Sequence, residues 1–347
     1  MDLLLVPAVA ILGLAAFDIV RTVLLPSSRG PLSALVYRMA FRLPALAPAK
    51  VRRRTRQFAG PAAIAGSIVM WLVLVWLGFG LVYWSQAEDL SASPGTSFGE
   101  IGPGDALYLS GTTLTTLGFG DLGGGTTTIR LVTVLQAASG LGLFTATISY
   151  LPAIYTLVSQ LRGAALSAAD LRTGDPDGAA EVAAAGDVSI VEAVRRDVVA
   201  VREHLVRFPV LYYFHPPVEE SPLVLVRNAA GLCATLRWGV DHDRVPHARH
   251  LGAVMQESLR RLLDELESHL PDPPTPPADA PSVPGRLLGL RAALEAIDPE
   301  LSARAAVPAE ADAFFARVDA VLDGVARMHD YETRPVLVAA PVAARAV

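Results

Sequence analysis

The chain has 347 residues, of which 52% are hydrophobic and only 18% are charged, whereas soluble domains carry about 25% charged residues. This composition disfavours a purely cytosolic enzyme. The formal net charge of -5 is divided unevenly, because residues 1–160 have an excess of basic side chains and residues 161–347 an excess of acidic ones. The single cysteine, Cys233, excludes an intrachain disulfide framework and a four-cysteine zinc site.

Three apolar segments are long enough to cross the roughly 30 Å hydrocarbon core of a membrane as helices. They are residues 3–25, 57–87 and 131–161, and the last two contain no charged residue. In the first segment Asp18 and Arg21 lie three positions apart, so we expect them to pair near the membrane edge. We interpret residues 1–26 as a transmembrane helix; a cleaved signal peptide, the alternative, requires a basic N-terminal region that is missing here.

The connection between the first two spans, residues 27–60, carries eight basic and no acidic side chains. The positive-inside rule places this connection in the cytoplasm, so the N-terminus lies outside and residues 161–347 lie inside. Apolar positions alternate with Arg38 and Arg42, which predicts an amphipathic helix on the inner leaflet, with a plain solvated connector as the alternative. Four further arginines near its end are a topology signal, a lipid-headgroup site, or both; they are Arg52, Arg53, Arg54 and Arg56.

Between the second and third spans, residues 106–122 are apolar but too short to cross the membrane and return as two helices. We therefore expect a re-entrant loop. Asp105 suits the start of a short helix that ends near Thr115 and directs its partially negative C-terminus inward, where it favours a cation. Non-helical backbone within a membrane faces protein or water, so residues 118–120 are expected to line a pore.

The residues that follow this helix suit the coordination of a cation by backbone carbonyls. Gly118 and Gly120 adopt left-handed backbone angles without the roughly 1–2 kcal/mol that a Cβ would cost, so successive carbonyls can point the same way. A ring of such segments replaces the hydration shell of a monovalent cation, and the Thr116 hydroxyl adds an oxygen layer. Phe119 would point outward to brace the segment. Asp121 would bond behind it and attract cations.

The run at 115–121, Thr-Thr-Leu-Gly-Phe-Gly-Asp, resembles the selectivity-filter signature of potassium channels, with Leu117 where valine or isoleucine is usual. The resemblance covers residues 71–160, in the order outer helix, pore helix, filter and inner helix of the two-transmembrane potassium channels. The first span is then an N-terminal addition. The resemblance implies a filter at Thr116, Leu117, Gly118, Phe119 and Gly120. The backbone carbonyls of its first four residues coordinate K+, and no cofactor is expected.

Three residues around the filter depart from the family. Tyr108 and Leu109 stand where many members have paired tryptophans, and Thr112 stands where some have a glutamate that partners the filter aspartate. Together with Asp121, Tyr108 and Thr112 are the expected supports of the filter. The altered support puts filter stability in doubt and leaves a weakly selective cation channel as an alternative.

The chain contains one filter run and no internal repeat, whereas a closed cage of carbonyls needs four strands. A homotetramer is therefore expected. The first span has Arg21 alone and lacks the repeated arginines of a voltage sensor, so gating responds to another stimulus, which the sequence does not identify.

The third span contains residues that suit a hinge or a gate. Gly140 resembles the hinge glycine of the family, but glycine also serves close helix packing. Pro152 removes a backbone hydrogen bond, so we expect a bend near it. Phe144 and Ile148 belong to an apolar stripe that would gate the pore by dewetting or would form a contact face between helices.

The C-terminal half, residues 161–347, is predicted to be an all-helical cytoplasmic domain. A polar linker at 163–186 is expected to precede a helix opened by Ser189 and Glu192, which have capping-box spacing. Seven prolines make residues 271–284 an extended connector. Further helices are predicted from residue 221 and over 246–270, 285–297 and 309–329.

Motifs for ligand chemistry are scarce in this half. No glycine-rich dinucleotide-binding motif is visible. The run 241–243 (Asp-His-Asp) and the pair His247 and His250 suggest a metal site or a pH sensor, and the sequence does not decide between them.

Taken together, the sequence predicts an all-α membrane protein with three transmembrane helices, a re-entrant pore helix and filter, and a helical cytoplasmic domain. Its parts are the first helix (1–26), the basic loop (27–60), the pore domain (61–160) and the cytoplasmic domain (161–347). We expect a homotetrameric, potassium-selective channel of the cell membrane that conducts K+ passively. Its expected partners are its own copies, membrane lipid and K+, without nucleic acid and without enzymatic activity. The alternatives are the weakly selective channel and a membrane-anchored sensor or scaffold with a non-conducting pore.

Overall fold

A computed structural model describes residues 2–25, 28, 30–42, 58–94, 100–214, 216–270, 272–277, 281–329 and 336–338. The chain divides into two compact units. The membrane unit comprises Met1–Thr156 and Phe208–Phe214, and the C-terminal unit comprises Leu157–Arg207 and His215–Val347. The division falls near the predicted boundary at 160, whereas the assignment of Phe208–Phe214 to the membrane unit was not predicted.

In the described part of the chain, the membrane unit contains four complete α-helices, the first part of a fifth that continues beyond Thr156, and a two-stranded antiparallel sheet. These elements are α1 (Leu5–Ile19, extended by a π-helical turn over Val20–Leu24), α2 (Pro31–Arg42), α3 (Ala59–Ser85), β1 (Leu90–Ala92), α4 (Pro103–Leu114), β2 (Leu122–Gly124) and α5 (Thr127–Leu171). Among the described residues, three helical segments are long and apolar enough to cross a membrane: Leu5–Val23, Ala59–Ser85 and Thr127–Leu171. The predicted all-α membrane fold is therefore confirmed.

Helix α3 lies at the centre of the membrane unit and packs against α1, α2 and α4. Its side chains Val75, Phe79 and Tyr83 belong to a buried cluster that also includes Leu109 of α4. Helix α4 is therefore enclosed on this side by apolar packing, as a short helix between two membrane spans requires.

The predicted pairing of Asp18 with Arg21 is wrong. Asp18 is buried, and its carboxylate accepts hydrogen bonds from the backbone N–H groups of Leu32 (2.8 Å) and Ser33 (3.2 Å) and from the Ser33 hydroxyl. The indole Nε1 of Trp71 donates to the same carboxylate at 2.9 Å. The first turn of α2 has backbone N–H groups without partners in its own helix, and Asp18 satisfies them.

Helix α2 lies where the sequence predicts an amphipathic helix around Arg38 and Arg42. Its Tyr37 is buried, while Leu35 and Met39 are exposed, so one face packs on the protein and apolar side chains remain on the other. The rings of Tyr37 and Phe41 lie 5.3 Å and 5.7 Å from the ring of Tyr213. The basic cluster at 52–56 lies outside the described residues.

The C-terminal unit is helical, as predicted. Its helices are α6 (Pro176–Ala185), α7 (Val188–Arg207), α8 (Pro222–Ala234), α9 (Pro246–Glu267), α10 (Val283–Ile297) and α11 (Ala309–His329). They bury an aliphatic core that includes Leu225, Leu259 and Leu290, together with Phe315. The described proline-rich residues 272–277 are non-helical, but α10 begins inside the predicted connector, at Val283.

Two local predictions in this unit are corrected. The expected linker at 163–186 is mostly helical, because α5 continues to Leu171 and α6 covers Pro176–Ala185; alanine is abundant there and has the highest helix propensity. The start of α7 is capped by Asp187, whose carboxylate accepts the N–H of Ser189 at 2.8 Å. Ser189 is therefore not the capping residue.

The same kind of correction applies to α4. Gly102 occupies the N-cap position, and the carboxylate of Asp105, in the first turn, accepts the N–H of Gly102 at 2.9 Å. Asp105 thus caps α4 from its first turn, because its carboxylate satisfies the N–H of the N-cap residue, as the second half of a capping box does.

Candidate functional site

Helix α4 is anchored to α3 and α5 by a chain of hydrogen bonds. The indole Nε1 of Trp76 donates to the carbonyl of Leu107 at 2.8 Å, and the Ser110 hydroxyl donates to the carbonyl of Trp76 at 2.7 Å. From α5, the amide of Gln136 donates to the carbonyl of Ser110 at 2.9 Å and accepts a bond from the Tyr83 hydroxyl at 2.7 Å. Buried polar groups paired on both sides fix the position of α4 between the two spans.

Helix α5 passes close to the end of α4 at Gly140. A Cβ on this glycine would overlap the carbonyl oxygen of Leu114, the last residue of α4. Gly142, two positions further, has open space where a Cβ would lie. A side chain at position 140 would therefore force α5 away from the end of α4.

In the segment after α4, every second residue from Thr116 to Gly120 has a positive φ, and the residues between them do not. Thr116, Gly118 and Gly120 have φ values of 57°, 50° and 77°. Alternation of this kind lets successive carbonyls point to the same side of the segment. For Thr116, which carries a Cβ, the left-handed conformation costs about 1–2 kcal/mol.

Hydrogen bonds from the end of α4 hold the strained residue. The carbonyl of Thr112 accepts the N–H groups of Leu117 at 2.8 Å and Gly118 at 3.2 Å, and the carbonyl of Thr113 accepts the N–H of Thr116 at 3.0 Å. Strained backbone persists where its surroundings determine it and clusters at functional sites. The Thr112 predicted to support the filter thus acts here through its backbone carbonyl.

Side chains behind the segment connect its far end to α4. The hydroxyl of Tyr108 donates to the carboxylate of Asp121 at 2.7 Å. The ring of Phe119 stacks on the ring of Tyr108 with centroids 6.5 Å apart and planes 4° apart. Beyond Asp121, the chain pairs with β1 through the register Ala92↔Leu122. The segment is therefore fixed at both ends.

The side chains of the segment remain exposed in a single chain. Leu117 is 58% exposed and Phe119 is 66% exposed, although both are large and apolar. Phe144 and Ile148 of α5 are also exposed, at 38% and 72%. Helix α5 continues without interruption through Pro152. The predicted filter and gate residues thus lie along one continuous stretch of the chain, on α4, the segment and α5.

The histidine and aspartate motif of the C-terminal unit forms no metal cluster. Within the described residues, no group of three or more His, Cys, Asp or Glu side chains converges. His242 Nε2 lies 2.9 Å from the carbonyl oxygen of Leu236. His247 and His250 are exposed on the first turns of α9.

Three structural features of the site were not predicted from the sequence. The left-handed backbone of Thr116 was not predictable, because glycine is the residue that usually indicates such a position and threonine does not. The bond from Gln136 to Ser110 joins residues 26 positions apart; a glutamine inside an apolar span was the available signal. The ring of Phe214, far along the chain, lies 6.1 Å from that of Tyr155 on α5, and no local pattern predicts that contact.

Comparison with known proteins supports an ion channel. The family model described as "Ion channel" matches residues 70–156, which include α4, the left-handed segment and most of the apolar part of α5. The chain is 26% identical over 218 residues to the "Uncharacterized membrane protein YdjJ" of Bacillus subtilis (strain 168). That alignment covers 60% of this chain and 62% of the relative. No solved structure matches the chain. The apolar helices and the membrane relative support a location in a membrane.

Proposed function

We propose that this chain is a potassium-selective channel of the cell membrane, assembled from four identical copies, that conducts K+ passively. The observation that carries the proposal is the alternation of left-handed residues at Thr116, Gly118 and Gly120, directly after a short helix between two membrane spans. This backbone presents a row of carbonyl oxygens, which are the ligands that replace the hydration shell of K+.

Each copy supplies one wall of the filter. The carbonyls of Thr116, Leu117, Gly118 and Phe119 coordinate dehydrated ions in single file, and neighbouring ions repel one another onward. The C-terminal end of α4, which ends at Leu114, adds the partial negative charge of the helix dipole, which favours a cation. Asp121, held by Tyr108, contributes negative charge where the segment ends.

Assembly of four copies follows from the single filter segment and from the exposed apolar residues around it. One segment cannot enclose an ion, whereas cyclic symmetry closes a ring from identical copies. Apolar side chains such as Phe119 and Ile148, exposed in one chain, face the other copies, lipid or the pore in the assembly.

In this proposal gating acts on the second half of α5. Phe144 and Ile148 form an apolar constriction that closes by dewetting, and Gly140 keeps α5 in contact with α4. The loop after the first span is cytoplasmic because it is strongly basic, so the N-terminus lies outside and the C-terminal unit inside. The stimulus is not voltage, because the first span carries Arg21 alone.

The test is potassium flux into liposomes that contain the purified full chain. Gly118→Ala places a Cβ at a φ of 50°, at an expected cost of about 1–2 kcal/mol per filter strand. We expect a loss of K+ flux of at least about tenfold, since each 1.4 kcal/mol is a factor of ten. The matched control is Gly123→Ala, where φ is not left-handed and a Cβ meets no atom within 4 Å; its flux is expected to equal that of the unaltered chain.

A second variant separates filter support from folding. Tyr108→Phe removes the hydroxyl that bonds Asp121 and keeps the ring that stacks on Phe119. We expect K+ flux to persist and Na+ permeation to increase, because the filter is held less rigidly.

The outcomes discriminate among the candidates. Flux of K+ that Na+ does not share, and that Gly118→Ala abolishes, supports the potassium channel. Equal passage of Na+ supports the weakly selective cation channel, for which the Tyr108 and Leu117 positions give the structural reason. Flux of neither ion, in assembled protein at several pH values and lipid compositions, favours the sensor or scaffold and overturns the proposal.

A further inference from the structure

The C-terminal unit contains a cavity of about 420 Å³, a size typical of small-molecule sites. It lies beside the turn that follows α8, and its lining includes the loop 240–243, one position of α10 and the segment before α11. Four arginines line it: Arg237, Arg249, Arg291 and Arg304. The ion-channel match, residues 70–156, does not include any of these residues.

The walls of the cavity are fixed by backbone hydrogen bonds. Asp241 N–H donates to the carbonyl of Leu301 and Ala303 N–H donates to the carbonyl of Gly239, both at 2.8 Å. Between them, Val240 and Ser302 form an antiparallel bridge. A site whose walls are already formed loses little conformational entropy when it binds a ligand.

Two of the arginines are only partly satisfied by the protein. Arg237 pairs with Glu310 at 2.9 Å, and an Nη atom of Arg291 donates to the carbonyl of Ala305 at 2.8 Å. In both residues the Nε atom is buried and has no hydrogen-bond partner among the described residues. A buried donor without a partner costs about 1–3 kcal/mol, so the fold keeps both guanidinium groups beside the cavity although the protein alone does not fully satisfy them.

The other two arginines complete a positive lining. Arg249 and Arg304 are exposed, and neither forms an ion pair with a residue in the described ranges. Two carboxylates also line the cavity, Asp241 and Asp243. The Asp241 carboxylate already accepts the N–H of Asp243 at 2.9 Å within its own loop. Because Arg237 is already paired with Glu310, three arginines remain against the two carboxylates, and the lining still favours an anion over a cation.

We propose that this cavity binds a small organic phosphate of about the size of a mononucleotide. Guanidinium groups bind phosphate oxygens in pairs and retain their charge at any physiological pH. The volume exceeds what inorganic phosphate alone fills, and the lining includes the apolar residues Val240, Ala306 and Pro308, which contact the organic part. This inference concerns binding in the C-terminal unit and does not depend on the proposed conduction.

The test is calorimetric titration of the purified full chain in detergent with AMP, GMP and glucose 6-phosphate. Inorganic phosphate and adenosine are titrated as well, because they represent separately the two halves of such a ligand, the anionic part and the organic part. We expect at least one of the organic phosphates to bind with a Kd below 1 mM, roughly -4 kcal/mol or stronger. We expect both halves to bind more weakly.

The variant Arg249→Gln with Arg304→Gln removes two guanidinium groups that make no ion pair in the described part of the chain. We expect it to weaken binding at least tenfold, as the loss of charge-assisted bonds to phosphate does. The control is Arg244→Gln, which removes one guanidinium charge from a nearby residue that pairs with Glu300 and does not line the cavity. Its affinity is expected to equal that of the unaltered chain.

The proposal is overturned if none of the three organic phosphates binds below 1 mM, or if Arg244→Gln weakens binding as much as the double variant. Folding is monitored through Cys233, which is buried and is the only cysteine. A variant that remains unreactive toward a thiol reagent has kept the C-terminal unit folded, so loss of binding then reports the site.

Discussion

The two units each bury an aspartate, and they stabilise it in different ways. In the membrane unit Asp18 receives neutral donors: two backbone N–H groups, the Ser33 hydroxyl and the Trp71 indole. In the C-terminal unit Asp319 pairs with Arg286 at 2.6 Å, with both side chains almost fully buried. The first carboxylate depends on hydrogen bonds alone, and the second depends on a compensating charge.

The difference follows from the surroundings of each unit. The membrane-spanning helices α3 and α5 contain few charged side chains. The carboxylate of Asp18 is therefore satisfied by backbone N–H groups at the start of a helix, a hydroxyl and an indole. The C-terminal unit is rich in charged residues, and Arg286 also donates to the carbonyl of Pro281 at 3.0 Å and lies over the ring of Phe315. Buried charges are tolerated only when paired or fully hydrogen-bonded, and each unit satisfies this requirement with the groups available to it.

The largest expected effect is the loss of the buried ion pair. Asp319→Asn leaves Arg286 without its counter-charge, which typically costs about 3–5 kcal/mol. The measurement is the labelling rate of Cys233 in the full chain. Burial raises the pKa of this thiol to about 12, so labelling requires opening of the unit. We expect labelling to be faster by at least about a hundredfold, since each 1.4 kcal/mol is a factor of ten.

The control for this variant replaces the whole pair. Arg286→Met with Asp319→Leu removes both charges and keeps the volume apolar, which is often neutral or stabilising. A labelling rate near that of the unaltered chain is expected. A single variant that labels no faster than the double variant would show that the ion pair contributes nothing to this unit.

The second effect tests the neutral donors around Asp18. Asp18→Asn replaces one acceptor oxygen by an NH2 group that faces donors, so we expect the membrane unit to lose about 2–3 kcal/mol, the value of a hydrogen bond to a charged group with its unsatisfied partner. Trp71→Phe removes a single donor and keeps an aromatic ring, so its effect is expected to be smaller. The measurement is the melting temperature of the full chain in detergent; equal effects would contradict this arrangement.

The two aspartates also show how far the sequence leads. The spans, the re-entrant segment and the helical C-terminal half were predictable, because hydropathy, glycine and proline act locally. The hydrogen bond from Trp71 to Asp18 was not predictable, because Trp71 lies 53 positions away along the chain. Arg21, three positions from Asp18, has the spacing of two side chains on one helical face, which favoured the wrong pairing. The cavity arginines were invisible for the same reason, since Arg237, Arg249, Arg291 and Arg304 share no local period and converge only in the fold.

The third effect concerns close contacts between a helix and a backbone carbonyl, which glycine permits in both units because it has no Cβ. A Cβ at Gly140 would overlap the carbonyl oxygen of Leu114, and one at Gly231 in the C-terminal unit would overlap that of Thr173. Overpacking costs about 1–3 kcal/mol, against a gain of up to about 1 kcal/mol in helix propensity from Gly to Ala. We therefore expect Gly140→Ala to lower the melting temperature and Gly142→Ala, which meets open space, to leave it unchanged or raise it.

This pair of variants also decides how Gly140 acts in the channel. If Gly140 serves packing, its alanine variant lowers both stability and flux. A Gly140→Ala chain that melts normally but stays open or closed would instead support a hinge in α5.

The smallest effect is expected at an exposed ion pair of the C-terminal unit, the counterpart of the buried one. Glu257 accepts bonds from Arg260 and Arg261 at 2.8 Å, and these guanidinium groups lower the pKa of its carboxyl to about 2. Solvent screens exposed pairs, so they contribute little. Glu257→Gln is expected to change Cys233 labelling far less than Asp319→Asn does.

The pH dependence of this small effect has a definite sign. A carboxyl whose pKa is lower in the folded state stabilises the fold above its unfolded pKa, near 4.5, and this contribution is lost as the pH falls toward the folded value. The difference in melting temperature between the unaltered chain and Glu257→Gln is therefore expected to be constant from pH 5 to 7, to shrink below pH 4.5, and to vanish near pH 2. A difference that grows on acidification would contradict a stabilising pair between Glu257 and the two arginines.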